Sequence, residues 1–240
     1  MMSKFKWALL SVALCMTTVV CADETIIQSG FMTDYTQLTK LDDGTADFRY
    51  TVDDVEELVA KYNALMIDQP EVFIAADSPY RGGKPTDLEA LADAFRAGLT
   101  SALSEDFYIV EQTGPNVMYV RVAISNLKLK KKKKSILGYT PVGLVGGAVK
   151  GAVTTDIAKK TDLQEAVMEF EIFDSETGDR LIAIIDHIGE DRKAPATWEE
   201  LEAAAFRYGS LARCRLNNAT LPPESRADCF AEFREDEGQR

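Results

Sequence analysis

The chain has 240 residues, a hydrophobic share of 46% and a formal net charge of −12. Such a length suits one domain, or one domain with an appended segment, and such a composition suits a globular protein with a real core. The acidic balance argues against nucleic acid as a partner, because a polyanionic duplex is repelled at long range.

Residues 1–22 have the layout of a secretory signal peptide. Lys4 and Lys6 make a positive start, and Trp7–Val20 is an uncharged, mostly apolar run, shorter than the ~20 residues a membrane span needs. Val20-Cys21-Ala22 offers small residues at the cleavage offsets, and Asp23-Glu24 opens a polar mature end. Cys15 and Cys21 lie in this leader. Cleavage after Ala22 leaves Cys214 and Cys229, which bracket Leu221-Pro222-Pro223. In an oxidising compartment that pair predicts a disulfide tying the last segment to the preceding helix, contributing about 3 kcal/mol in the chain-entropy model.

Residues 25–50 show little periodicity and predict an ordered but irregular approach segment. Thr51–Val59 is acidic and predicts a helical turn, whose Asp53, Asp54, Glu56 and Glu57 read as a solvated face. Tyr62–Ile74 is apolar and β-like, with Pro70 at a break or edge. Asp77–Pro85 is a loop. Thr86 and Glu89 stand at capping-box spacing, and Leu88, Leu91, Ala92, Phe95, Leu99, Ala102 and Leu103 follow at helical intervals.

Two β-rich runs come next, Phe107–Gln112 and Asn116–Leu129, separated by the turn Gly114-Pro115-Asn116. In the second, Met118, Val120, Val122 and Ile124 share one parity and face a core, while Tyr119, Arg121, Ala123 and Ser125 share the other. Leu127 and Leu129 fall on that other parity, which predicts a bulge or strand end near Asn126. The β pattern resumes at Leu163–Phe173, where Met168, Phe170 and Ile172 face the core and Val167, Glu169, Glu171 and Phe173 oppose them. Ser175–Asp179 is a turn and Leu181–Ile188 a returning strand. Thr197 and Glu200 make a second capping-box pair ahead of an amphipathic helix carrying Trp198, Leu201, Ala205, Tyr208 and Ala212. The expected fold is α+β, a mainly antiparallel sheet with two amphipathic helices on one face and a glycine-rich insert across 128–160. Residues 23–240 read as a single envelope domain.

The insert is the most distinctive stretch. Lys128, Lys130, Lys131, Lys132, Lys133 and Lys134 are a cationic cluster in an acidic chain. Gly143, Gly147 and Gly151 then recur at every fourth position. On a helix that spacing makes a groove where another backbone can approach closely. Lysines at an anionic membrane surface contribute about 1 kcal/mol each. The pattern therefore points to a segment that contacts a membrane, an envelope protein partner or a second copy of the chain. The same composition suits a Gly-rich loop or a small helix packed on the protein's own sheet, since Pro141 and the glycines weaken an isolated helix.

No catalytic motif, cofactor motif or metal-ligand spacing is visible. Gly138 and Gly143 have the separation of a phosphate loop, but Leu144-Val145 follow where Lys and Ser/Thr are required. His187, the single histidine, sits among Asp186, Glu190 and Asp191. It reads as a strand-end histidine in a solvated acidic turn, the alternative being a general base for a hydrolase or a small-ligand site. Calcium at those three carboxylates lacks an EF-hand loop. Asn218-Ala219-Thr220 matches a glycosylation sequon by chance.

Several of these stretches resemble a family of bacterial lipoproteins, the domain of unknown function 3313. The resemblance is carried by Gly30-Phe31-Met32-Thr33-Asp34-Tyr35, by Lys61–Val72, by Thr113-Gly114-Pro115 with the Val120-Arg121-Val122 strand, and by Phe170–Ala183. It implies an exported protein of a Gram-negative envelope, periplasmic or bound at the outer membrane, with no established activity. It also implies lipidation at Cys21, although Thr18-Val19-Val20 place no small residue just ahead of that cysteine.

Overall fold

A computed structural model describes residues 26–41, 46–132, 156–188 and 196–229. The leader with Cys21, the lysines Lys133 and Lys134, and Gly143, Gly147 and Gly151 lie outside the described residues.

An irregular strap, residues 26–38, leads into β1 (Thr39–Lys40) and β2 (Phe48–Thr51). Then come α1 (Val55–Val59), β3 (Ala64–Ile67), β4 (Glu71–Ile74) and α2 (Pro85–Leu103). They are followed by β5 (Tyr108–Ile109), β6 (Val117–Lys131), α3 (Asp156–Lys160), β7 (Thr161–Asp174), β8 (Arg180–His187) and α4 (Trp198–Ala219). All strands join one sheet in the order β1-β2-β8-β7-β6-β3-β5, with β4 also beside β6.

The α+β class holds, but the sheet is mixed rather than mainly antiparallel. β1, β2, β8, β7 and β6 pair antiparallel, whereas β3 and β4 both run parallel to β6, and β5 runs parallel to β3. The cause is α2. Parallel neighbours need a long crossover, and this helix carries the chain back before β5 and β6 begin. β3 lies along Val117–Val120 and β4 along Ala123–Leu127, so the two are successive pieces of one line. Pro70 stands at their junction, where a residue without an N–H costs no ladder bond.

β6 shows how alternation becomes packing. Met118, Val120, Val122 and Ile124 are buried in the helix-side core. Asn126 then adopts a left-handed φ of 47°, and the β6–β7 register shifts between Ser125 and Lys128. This bulge turns Leu127 and Leu129 onto the same helix side, where both are fully buried. The Phe107–Gln112 run shortens to two paired residues, because β5 meets only Ala64 and Leu65 of β3.

α2 and α4 share one face of the sheet, contributing Leu91, Phe95, Leu99, Leu103, Leu201, Ala204 and Ala205 to that core. Their axes approach through glycine: a Cβ on Gly209 would stand 2.7 Å from Ala102 Cβ. α4 begins as its capping box predicts. The Glu200 N–H donates to Thr197 Oγ1 at 3.1 Å, and the Thr197 N–H donates to Glu200 Oε2 at 2.7 Å. α2 corrects its prediction. Pro85 is its first residue, and Asp87 Oδ2 accepts from the Lys84 N–H at 3.4 Å, so Thr86 sits inside the first turn rather than capping it. Proline is preorganised for that position and forgoes a donor the first turn leaves unused.

The other face of the sheet is covered too. Phe31, Met32, Tyr35 and Leu38 of the strap pack on Phe48, Ala123, Val167, Ala183 and Ile185. Among the described residues no helix is long and apolar enough to cross a membrane.

Candidate functional site

The polar centre of the molecule lies under the strap. Glu169 and Glu171 share the β7 parity that faces away from the helices, and both are fully buried. Alternation alone assigns such glutamates to solvent. The strap covers them instead, and donors reach them from three directions. Tyr35 donates its hydroxyl to Glu169 Oε2 at 2.8 Å. The Thr33 N–H and hydroxyl donate to Glu171 Oε1 at 3.1 and 2.8 Å. Arg180 reaches the same oxygen at 3.1 Å, and Arg121 reaches Glu171 Oε2 at 3.0 Å.

Each arginine also grips the strap. Arg180 donates to the Asp34 carbonyl at 2.6 Å and to Gln37 Oε1 at 2.5 Å, and its guanidinium lies 4.8 Å from the Tyr50 ring centroid. Arg121 lies 4.6 Å from the Phe31 ring centroid and donates to Glu71 Oε1 at 3.2 Å. Gly30, at φ 88°, bends the chain into this site, a conformation that favours glycine. Burial raises the Tyr35 hydroxyl above its ordinary pKa, so it remains a donor. Thr33, Tyr35 and Arg180 hold the strap to the sheet, while Arg121 ties β6 to β7 and β4 through Glu171 and Glu71; the arrangement offers positioning rather than chemistry.

His187 stands at the end of β8 as expected, but its ring is half-buried rather than solvated. The buried Asp47 carboxylate accepts the His187 backbone N–H at 2.8 Å and contacts its ring Nδ1. Asp186, on the opposite parity, meets the Tyr208 hydroxyl of α4. Glu190 and Asp191 lie outside the described residues. Asp47 orients the imidazole as a buried carboxylate can in a catalytic pair. Sequence reasoning missed Asp47, because a carboxylate far away in sequence carries no local mark of its partner. Among the described residues no group of His, Cys, Asp and Glu side chains could hold a metal ion.

The lysine cluster divides. Lys128 belongs to the sheet, with its ammonium 2.8 Å from Glu165 and 3.3 Å from Asp77; the Glu165 hydrogen bond foremost raises its pKa. Lys130, Lys131 and Lys132 are exposed at the end of β6. The Lys132 N–H donates to the Lys160 carbonyl at 3.0 Å, and its ammonium donates to the Ala158 carbonyl at 2.9 Å. The two ends of the glycine-rich insert therefore meet at a closed neck.

The acidic residues Asp53, Asp54, Glu56 and Glu57 line an open groove beside α1, where Arg226 reaches Glu56 at 2.7 Å. Arg226 is carried there by a clasp. Cys214 and Cys229 form the expected disulfide, with Cα atoms 5.6 Å apart. Asn218 adds a pair of side-chain bonds to Ala227, accepting its N–H at 2.9 Å and donating to its carbonyl at 2.8 Å. The amide nitrogen of the sequon is thus already engaged inside the clasp.

Residues 27–213 match the family described as "Protein of unknown function (DUF3313)". The match runs from the strap into α4 and stops just short of Cys214. No curated protein matches the chain. Among solved structures, a variant PelC dodecamer from Paraburkholderia phytofirmans is similar at 10% identity, covering 61% of this chain and 79% of that one, with a TM-score of 0.27. A second PelC dodecamer from the same organism is similar at 13% identity, covering 68% of this chain and 90% of that one, with a TM-score of 0.25. A likeness so distant transfers neither assembly nor partner.

Proposed function

We propose, for a chain that belongs to the DUF3313 family, an exported envelope protein that acts by binding or assembly rather than by catalysis. Its contact with a membrane, an envelope partner or a second copy runs through the Lys- and Gly-rich insert. The observation that carries this reading is the neck at Lys132 and Lys160. Lys132 and Lys160, which flank residues 133–155 and α3, meet there beside exposed lysines, so the stretch between them can serve an outside contact without breaking the sheet. The Cys214–Cys229 disulfide supports export, since such bonds persist in oxidising compartments.

Replacing residues 133–155 by a short Gly-Ser bridge across the neck tests this. Leu129 must be kept, because it is fully buried. In fractionated cells the shortened protein is expected to fold, be exported and lose its membrane or partner association. Unchanged association, or a cytosolic full-length chain with its leader intact, overturns the reading. The Asp47–His187 pair keeps a second reading open, an envelope hydrolase or small-ligand protein. That reading requires His187→Ala to abolish function while localisation and fold survive.

A further inference from the structure

The cationic surface at the end of β6 is wider than the lysine run. The loop that follows β4 continues beside β6: the Ala75 N–H donates to the Leu127 carbonyl at 3.1 Å and the Tyr80 N–H to the Leu129 carbonyl at 2.9 Å. Ser78 fastens the same loop, its hydroxyl accepting the Leu129 N–H at 2.9 Å. Arg81 therefore emerges next to Lys130 and Lys131. Gly83 packs on Ile157 of α3, and Lys84 follows at the start of α2. Arg81, Lys84, Lys130 and Lys131 are exposed. Two segments some fifty positions apart in the chain thus deliver their cations to one end of the sheet.

Several cations elsewhere on the protein are paired. Arg121, Arg180, Arg213, Arg226 and Lys61 all face carboxylates. Arg81, Lys84, Lys130 and Lys131 form no ion pair among the described residues. Cations left without an ion pair together, in a chain of net charge −12, concentrate positive charge at this end of the sheet, with Asp77 and Asp162 as the acidic residues among them. The acidic groove beside α1 lies toward the opposite end of the strands, where the Val52 N–H bonds the Leu181 carbonyl near the start of β8.

We infer that Arg81, Lys84, Lys130 and Lys131 form one composite surface that docks end-on to an anionic lipid bilayer. A planar anionic surface suits such an arrangement: it attracts the cationic end and repels the acidic body, which fixes orientation as well as affinity. A nucleic acid, which needs a charged track along the body, suits it poorly. The inference rests on the envelope reading, and it widens the contact from the insert to the rigid end of the sheet beside it.

Co-sedimentation of the full chain with phosphatidylglycerol-containing and pure phosphatidylcholine vesicles tests it. Binding is expected only to the former, and is expected to fade as salt shortens the screening length. Neutralising each cation should weaken binding by about fivefold. Arg81→Gln with Lys84→Gln should thus weaken it more than tenfold, as should Lys130→Gln with Lys131→Gln. If Arg81→Gln with Lys84→Gln changes nothing while replacement of residues 133–155 abolishes binding, the composite surface is overturned and the insert reading stands. If the full chain ignores anionic vesicles, or the same substitutions instead dissolve a self-associated species in sedimentation velocity, lipid docking is overturned. Weakened but retained binding of anionic vesicles by the insert-replaced protein supports the composite surface as a contact alongside the insert.

Discussion

The two faces of this sheet are held by different physics. On one, α2 and α4 lay Leu91, Phe95, Leu99 and Leu201 on the alternate residues of β6 and β7. The stabilisation there is area removed from water, spread over many side chains and indifferent to any one of them. On the other, an irregular strap closes over two buried glutamates. That face depends on a few charged groups, each of which is harmful if its partner is removed. A helical layer tolerates replacement by degrees, whereas a polar clasp is intact or broken.

Glu171→Ala probes the contrast hardest. It leaves Arg121 and Arg180 without their shared buried acceptor and frees the Thr33 donors. Breaking such a buried pair from one side costs about 3–5 kcal/mol. Chemical denaturation should show that loss, and hydrogen exchange should show the amides of the strap losing protection before those of α2 and α4. Equal loss in both layers would mean that the faces form one cooperative unit and the distinction fails.

Gly209→Ala tests the apolar layer. Its new methyl meets Ala102 Cβ and the Leu99 carbonyl, neither of which can swing aside. Overpacking costs about 1–3 kcal/mol, and better helix propensity returns about 1 kcal/mol. The expected net loss is at most about 2 kcal/mol, seen as a lower denaturation midpoint with the strap's exchange unchanged. A stabilised variant would show that the two helices are less tightly docked than the geometry indicates.

The same contrast explains what could be read from the chain. The helix face follows from local periods: the α2 and α4 stripes, the parity of β6, the slip at Asn126 and the Thr197–Glu200 box are all visible in short windows. The mixed sheet was harder, because strand direction is set by the crossover through α2 and not by the residues of β3 or β4. The strap was not legible. Glu169 and Glu171 carry the alternation of a solvent-facing row, and only Thr33, Tyr35, Arg121 and Arg180, far apart in the chain, reveal that the row is buried. The one hint was the density of unusual residues in Gly30–Tyr35, which appeared as a family resemblance without a physical reason. The cationic end was half legible: the lysines announce themselves, but Arg81 and Lys84 join them only through the backbone bonds to β6.

The smallest expected effect is the sharpest test of the idea, because it sets a half-buried carboxylate on the helix face against Glu171. Asp186 lies half-buried beside α4 and meets the Tyr208 hydroxyl. Burial, the largest influence, raises its carboxyl above the ordinary value. Its charged form is therefore the one that folding disfavours. As pH falls through that raised value the folded protein takes up a proton while the unfolded chain, near 3.9, is still ionised. This group's contribution to stability thus improves on acidification and levels off below about 3.9. Asp186→Asn removes the ionisation and keeps an oxygen for Tyr208 to donate to. It should change stability by less than about 1 kcal/mol at neutral pH, since the amide offsets a lost charge-assisted bond with relief from burying the charge. The difference between variant and parent should shift toward the parent as pH is lowered. Glu171 has two arginines to satisfy, and no neutral isostere can do so; Asp186 has chiefly a phenol, with Arg207 and the His187 backbone as lesser influences. A loss at Asp186→Asn as large as that at Glu171→Ala would place the helix layer under the same electrostatic control as the strap.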